Sequence, residues 1–322
     1  MVGCGSIGQR HIGNLRSLGV KTIAVYDSDV ARLGQVAAEH GLTRRASIET
    51  GVASGVDLVL VCTPPDSHLE IARLAIEAGC HVFVEKPLAS TRDGVAEFLN
   101  EAARRDRIVY VGYNLRFHPG LRRLKRLLDD RAIGRVLSIR AEFGQYLPDW
   151  RPDQDYRKGY TAHAVMGGGV ILDCSHELDY VRWLAGEVES VWCKAGQISS
   201  LEMDAPDTAE ITLGIRGGAI AQIHVDCTQR AYARGCKAIG ETGVIIWDYQ
   251  VGIRRYDIAA GCWTSEAIGI GPNETYFDEM AHVLACVCGE ETPLVDGATG
   301  ERVLSIALAS CESARHGREV RV

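Results

Sequence analysis

Six residues near the start of the chain, Gly3-Cys4-Gly5-Ser6-Ile7-Gly8, leave few folds open. Glycines at this G-x-G-x-x-G spacing permit a tight strand-to-helix turn, a close approach of backbone to a pyrophosphate, and close helix–strand packing. The helix that follows offers unpaired N–H groups and a partial positive charge to phosphates. Alone, the spacing is a weak signal. Here a second acidic signal accompanies it: Asp27 ends the apolar run Val20–Tyr26, about twenty residues past the third glycine, where a carboxylate accepts hydrogen bonds from the adenosine ribose. Such a carboxylate repels a 2′-phosphate, so the pair predicts NAD, with NADP disfavoured. Gly3, Gly5, Ser6, Ile7, Gly8 and Asp27 are the first expected cofactor contacts.

The pattern downstream agrees. Val20–Tyr26, Val56–Cys62, Cys80–Val84 and Arg107–Val111 are nearly continuous β-branched runs, as in parallel strands covered by helices on both faces. Helical patterns at Ser67–Ala78 and Thr91–Arg104, the second with Thr91 placed to cap it, alternate with them. This alternation predicts an α/β Rossmann domain, a doubly wound parallel sheet, over residues 1–117. Strands typically run ~5–6 residues, and only Met1 and Val2 precede the glycine loop, so the expectation is a first strand completed by residues upstream. After about Gly112 the texture shifts to long alternating segments, including Asp207–Ile215 and Ala219–Asp226 around a hairpin turn at Arg216-Gly-Gly218. Residues 118–322 are therefore expected to form an α+β domain built on a large open mixed or antiparallel sheet, closed by two helices near 273–288 and 297–315.

Composition narrows the partners. A formal charge of −7 over 322 residues disfavours nucleic acid, which requires clustered Lys and Arg. The basic stretch Leu121–Leu128 alternates with leucines at helical spacing and reads as a solvated helix face. No apolar run approaches the ~20 residues of a membrane span. The 11 cysteines are scattered through apolar stretches without metal-ligand spacing, which predicts buried reduced thiols in a cytoplasmic protein and no metal.

Two further strands end in polar punctuation on the cofactor side, Cys62-Thr63-Pro64-Pro65-Asp66-Ser67-His68 and Glu85-Lys86-Pro87. Ligands of open α/β sheets bind beyond the carboxyl ends of the strands, so Thr63, Pro64, Glu85 and Lys86 join the expected cofactor site, together with His68, which could equally sit in the first turn of its helix. A lysine directly after Val82-Phe83-Val84 is poorly explained by packing. Later, Gly167-Gly-Gly169 precedes a helical pattern over Val170–Leu184 that carries Asp173, His176 and Asp179 at i, i+3, i+6. A carboxylate beside an imidazole raises its pKa, as a general base requires.

Taken in order, G-x-G-x-x-G, Glu-Lys-Pro, Gly112-Tyr-Asn-Leu-Arg-Phe-His-Pro119, the triple glycine with Asp and His, and the closing Asn273–Glu279 segment resemble the Gfo/Idh/MocA oxidoreductases over nearly the whole chain. The resemblance implies NAD-dependent oxidation of an alcohol on a sugar, sugar derivative or cyclitol. It points to Lys86 and His176 as acting at the nicotinamide, with Asp173 as the associated carboxylate. The aspartate–histidine spacing is three residues rather than the family's usual four, which leaves open which aspartate serves His176. Gly144–Pro152 with Asp155–Lys158 is similar to a subgroup of cell-surface sugar biosynthesis. In this reading His176 removes the hydroxyl proton, Lys86 stabilises alkoxide character, and Asn114, Arg116, Tyr156, Arg157 and Tyr160 hold the substrate. Two other activities fit the resemblance: an NAD-dependent glycosidase working through transient oxidation, and a non-catalytic NAD- or sugar-sensing regulator. The open sheet is expected to pair subunits into a homodimer or homotetramer.

Overall fold

The β-branched runs of the first third form parallel strands. In the computed structural model, which describes residues 1–322, β1 (Ala24–Val25) pairs with β2 (Thr43–Arg44), and β3 (Leu58–Val61), β4 (His81–Glu85) and β5 (Val109–Gly112) pair in that order. Val2 forms parallel bridges to both Tyr26 and Val61. Its amide donates to Leu60 O at 2.8 Å, its carbonyl accepts from Cys62 N at 2.8 Å, and Gly3 N donates to Tyr26 O at 2.9 Å. The parallel order is thus β2, β1, Val2, β3, β4, β5. Of the run Val20–Tyr26, Ala24–Val25 pair with β2 and Tyr26 bridges to Val2.

Helices cover this sheet: α1 (Ser6–Ser17), α2 (Val30–His40), α3 (Ile48–Val52), α4 (His68–Glu77) and α5 (Val95–Arg104). The fifth starts later than Thr91. Gly94, at φ 75°, occupies its N-cap position, and no side chain caps it. The chain divides by contacts into two units, Met1–Asn114 with Asn273–Arg302, and Leu115–Pro272 with Val303–Val322. Residues 273–302 therefore return to the first unit, a long-range packing event with no signature in local periodicity. Helix α10 (Glu274–Val287) belongs to this return, and its N-cap Asn273 donates to Asn14 Oδ1 of α1 at 2.6 Å.

The second unit contains α6 (Pro119–Asp129), β6 (Val136–Gly144), α7 (Leu147–Trp150), α8 (Val170–Asp173), α9 (His176–Ala185), β7 (Val188–Gly196), β8 (Thr208–Ile215), β9 (Ile220–Asp226), β10 (Ala233–Gly240), β11 (Gly243–Asp248), β12 (Gly252–Asp257) and β13 (Cys262–Ala267). Helix α11 (Gly297–His316) and β14 (Val320–Arg321) end the chain. Nine strands form one mixed sheet in the order β13-β12-β11-β10-β6-β9-β8-β7-β14, with β6 and β9 parallel and the rest antiparallel. Arg216–Gly218 turns β8 into β9, with Gly217 and Gly218 both at positive φ.

Register sorts the two faces. One row crosses the sheet as Cys193, Ile211, Ile223, Ala141, Cys236, Trp247 and Ile253, all buried. The opposite face carries the row Ile220, Ser138, Ile239, Val244, Tyr256 and Trp263, in which Ile220 and Trp263 are exposed. Period-2 alternation with one face covered by helices gives this division.

On α6, Leu121, Leu124, Leu127 and Leu128 are buried, while Arg123 pairs with Glu266 and Lys125 with Asp129. The basic stretch is a helix face engaged with neighbouring carboxylates. All eleven cysteines are unpaired, and no helix is long and apolar enough to cross a membrane.

Candidate functional site

The glycine loop is built for a ligand. Gly3 has φ +91°, and a Cβ there would lie 2.5 Å from Cys62 O; a Cβ on Gly8 would lie 2.1 Å from Gly3 O. Both glycines serve the turn and the helix–strand contact. Gly5 differs. Its φ of −69° is ordinary, and a Cβ would meet nothing nearer than the Arg32 guanidinium at 4.0 Å. Neither conformation nor packing requires glycine at position 5, so the space it leaves is a cradle for another molecule's atoms. Gly5 is also the N-cap of α1, with no side-chain cap and no acidic residue in the first turn. The exposed Ser6 and half-buried Ile7 open that turn. Its amides are thus available to an anion, and the loop fits a dinucleotide pyrophosphate.

Asp27 is fixed beside this loop. Its Oδ2 accepts from Cys4 N at 2.7 Å and its Oδ1 from Asp29 N at 2.8 Å. A carboxylate has about four acceptor positions, which leaves two for ribose hydroxyls. Arg32, which the sequence reading missed, places Nε 3.7 Å from Asp27 Oδ2 and donates to Asp29 Oδ2 at 3.1 Å. The signal for it was its place three residues after Asp29, the N-cap of α2.

The next loops lie beyond β3 and β4. Thr63 Oγ1 accepts from Ser67 Oγ at 2.7 Å, and Pro64 precedes a short 3-10 turn at Pro65–Ser67. His68 takes the other place open to it, the first residue of α4. It is fully buried, with Nδ1 2.8 Å from Pro87 O and Nε2 2.8 Å from Thr63 O. No surface remains for contact with a cofactor. Burial lowers its pKa, against the two carbonyls, which favour the charged ring. Glu85 is buried, its Oε1 meets His11 Nε2 at 2.7 Å, and its Oε2 accepts from Lys86 N at 3.2 Å. Asn114 is also buried and donates to Thr275 Oγ1 at 2.7 Å, so it packs inside the first unit. Lys86 is half-buried at the end of β4.

In the second unit the single helix expected over Val170–Leu184 is two. Helix α8 ends at Asp173, Cys174 leaves helical geometry at ψ 31°, and α9 starts at His176. The i, i+3, i+6 alignment therefore does not hold from Asp173 onward. Asp173 accepts short bonds, 2.6 Å each, from Tyr160 Oη and Thr161 Oγ1. Asp179 instead holds Arg116 through a two-pronged ion pair at 2.7 and 2.8 Å, with both side chains buried. This pairing engages both oxygens of Asp179 and buries the Arg116 guanidinium against them. The guanidinium also stacks 4.6 Å over the Trp183 ring.

His176 lies at the first turn of α9, nearly buried. Next to it the buried Glu177 accepts from Arg234 Nε at 2.9 Å, and that guanidinium sits 4.1 Å over Phe143. Neither Glu177 nor Arg234 stood out in the sequence, because each looks like an ordinary surface charge until the fold buries both. Tyr156 Oη accepts from Glu202 N at 3.1 Å. Arg157 is exposed and donates to Asp155 at 2.8 and 3.0 Å and to Glu202 at 3.3 Å.

Residues 1–113 match the family model described as "Oxidoreductase family, NAD-binding Rossmann fold" of the GFO/IDH/MocA group, and residues 121–246 match the GFO/IDH/MocA C-terminal domain. An inositol 2-dehydrogenase of Ralstonia nicotianae is 32% identical over 257 residues, covering 76% of this chain and 72% of its own. A myo-inositol 2-dehydrogenase of Thermotoga maritima is 27% identical, covering 100% of this chain and 97% of its own. The crystal structure of GenD2 from gentamicin A biosynthesis, in complex with NAD, is 25% identical with a TM-score of 0.86 and covers 100% of this chain and 95% of that one.

Proposed function

Because the chain belongs to the GFO/IDH/MocA oxidoreductase family, we propose that it is an NAD-dependent dehydrogenase acting on a secondary alcohol of a cyclitol or sugar. The observation that carries the reading is the open cradle at Gly5 with Asp27 fixed beside it. The inositol specificity of the two curated relatives supports a polyhydroxylated ring as substrate. Bound NAD supplies the hydride acceptor at its nicotinamide. We assign His176 the removal of the hydroxyl proton and Lys86 the stabilisation of negative charge on the alcohol oxygen. Asp173, bonded to Tyr160, is the carboxylate we retain; Tyr156, Tyr160 and Arg157 remain the candidates for substrate hydroxyls or a carboxylate. A role in cell-surface sugar biosynthesis is an extension that rests on the Gly144–Lys158 segment alone.

A panel of inositols, hexoses, uronic acids and amino sugars, assayed for NAD reduction, tests the proposal. Reduction with none of them sinks it. Release of p-nitrophenol from aryl glycosides with catalytic NAD would favour the glycosidase instead. Retention of Lys86 and His176 argues against a sensor without chemistry.

For the cofactor we expect NADH to bind more tightly than NADPH, since a 2′-phosphate would meet Asp27 with like charge. Arg32 offsets part of that repulsion. Half-exposed charge contacts contribute ~0–1 kcal/mol, so Arg32→Ala should widen the NADH preference by up to about fivefold. Fluorescence titration of both reduced cofactors reads this, and equal affinity for NADPH in the unaltered chain removes Asp27 from the assignment.

We also assign the open face of the nine-stranded sheet to self-association as a homodimer or homotetramer, since its Ile220–Trp263 row presents apolar side chains to solvent. Sedimentation should show a dimer or larger species that Ile220→Lys with Trp263→Lys dissociates. A monomeric parent chain contradicts it. Eight buried thiols among eleven unpaired cysteines support a place in the reducing cytoplasm.

A further inference from the structure

The backbone on both sides of Lys86 is held by a buried histidine. On its amino side, Lys86 N donates to Glu85 Oε2 at 3.2 Å, and the other oxygen of that carboxylate meets His11 Nε2 of α1 at 2.7 Å. His11 is fully buried and packs edge-on against Phe83 and Tyr276 at 5.2 and 6.2 Å between centroids. On its carboxyl side, the carbonyl of Pro87 lies 2.8 Å from His68 Nδ1, and His68 reaches the Thr63 carbonyl with its other nitrogen at the same distance. Ser67 Oγ reinforces the second anchor, its single proton facing both Thr63 Oγ1 at 2.7 Å and Pro64 O at 2.9 Å.

A strand end is ordinarily released into a loop, and a lysine there has four rotatable bonds with which to wander. Here the loop is tied to the first turn of α4 by a ring that has no solvent exposure. A buried imidazole needs partners for its polar atoms, and packing alone would be met as well by Phe or Leu. The nitrogens are what distinguish histidine, and both face loop carbonyls. We propose that His68 is a positioning residue for Lys86: through the Pro87 carbonyl it fixes the backbone from which the lysine extends, while Glu85 and His11 fix the preceding amide. This rests on the assignment of Lys86 to the reaction. A misplacement of about 1 Å at a reacting group can cost on the order of a hundredfold in rate, so a tether this close to the lysine bears on kcat.

The two nitrogens give a discriminating test. The amide nitrogen of asparagine occupies the place of Nδ1 and that of glutamine the place of Nε2. A neutral imidazole carries one N–H, and we place it on Nδ1 toward Pro87 O. His68→Asn therefore keeps that donor, His68→Gln turns its donor toward Thr63 O instead, and His68→Phe has none. We expect His68→Asn to retain kcat within about threefold, and His68→Gln and His68→Phe to lose about 10- to 100-fold, a share of the effect of a positioned acid–base group. NADH affinity should stay within about threefold in all three. A second readout needs no substrate: acetic anhydride labelling of Lys86, followed by mass spectrometry of the folded NADH-bound protein, should be faster in Gln and Phe than in Asn or the parent. Equal behaviour of Asn and Gln, full activity in Phe, or a loss confined to NADH binding overturns the proposal. Should Phe fail to fold, the Asn–Gln contrast carries the same decision. If no alcohol reduces NAD, the proposed function falls, and the labelling rates still report on the tether.

Discussion

Lys86→Ala and His176→Ala should each lower kcat by about 10²–10⁴, the range for a positioned acid–base group, while leaving NADH binding within a fewfold. The expectation follows from where the two residues lie. Lys86 follows directly on β4, at the carboxyl end of the parallel sheet, which is where ligands of such sheets bind. His176 opens α9, and its neighbour Glu177 is locked to Arg234 at 2.9 Å, so the backbone that carries the imidazole is held at its first turn. The pyrophosphate cradle is built from the glycine loop and the first turn of α1, and neither substitution alters those residues. Loss of rate with intact cofactor affinity is therefore the signature, and NADH titration beside steady-state rates measures both. Full activity in either variant removes that residue from the mechanism. A loss of NADH binding equal to the loss of rate would instead place the residue in the cofactor site alone.

The NAD-binding fold of this protein was legible in its residues because its signals depend on local spacing. Gly3, Gly5 and Gly8 lie within one loop and turn of chain, and Asp27 follows the strand beside them. Parallel strands follow from β-branched runs for the same reason. What was not legible depends on partners far apart in sequence. His11 meets Glu85 across 74 residues, Glu177 meets Arg234 across 57, and Arg116 meets Asp179 across 63. Each residue alone resembles a surface charge or a loose ligand candidate, and only the fold shows that burial has claimed it. His68 is the sharpest case. Its position left a cofactor contact and a place in the first turn of a helix both open, and only the fold shows the ring buried at the start of α4 between the Pro87 and Thr63 carbonyls. The return of residues 273–302 to the first unit was hidden likewise, since helical periodicity says that α10 is amphipathic and not which sheet it covers. The break between α8 and α9 undid an argument from spacing: i, i+3, i+6 presumes one uninterrupted helix, and Cys174 ends it.

That break sharpens the remaining question, which aspartate matters to the reaction, and predicts opposite behaviour for the two. Asp179 should be a stability residue. Its carboxylate and the Arg116 guanidinium are 1% and 4% exposed and share two bonds at 2.7 and 2.8 Å. Removing one partner of such a pair strands the other charge in the interior, at a cost of about 3–5 kcal/mol. Asp179→Asn should therefore lower the unfolding midpoint in urea sharply, and the protein that remains folded should turn over at close to the parent rate. The replacement of both partners, Arg116→Met with Asp179→Leu, should recover most of the lost stability, because no charge is left buried. Asp173 should behave in the other way. It accepts from two neutral hydroxyls, Tyr160 and Thr161, and the amide of Asp173→Asn still offers one oxygen to them. A neutral hydrogen bond contributes about 0.5–1.5 kcal/mol net, so the unfolding midpoint should move little, while kcat falls and the pH–rate profile shifts. Urea melts and pH–rate profiles on the four proteins decide the matter. If Asp179→Asn melts like the parent but loses activity, then Asp179 rather than Asp173 supports His176, and the buried pair is incidental to the fold.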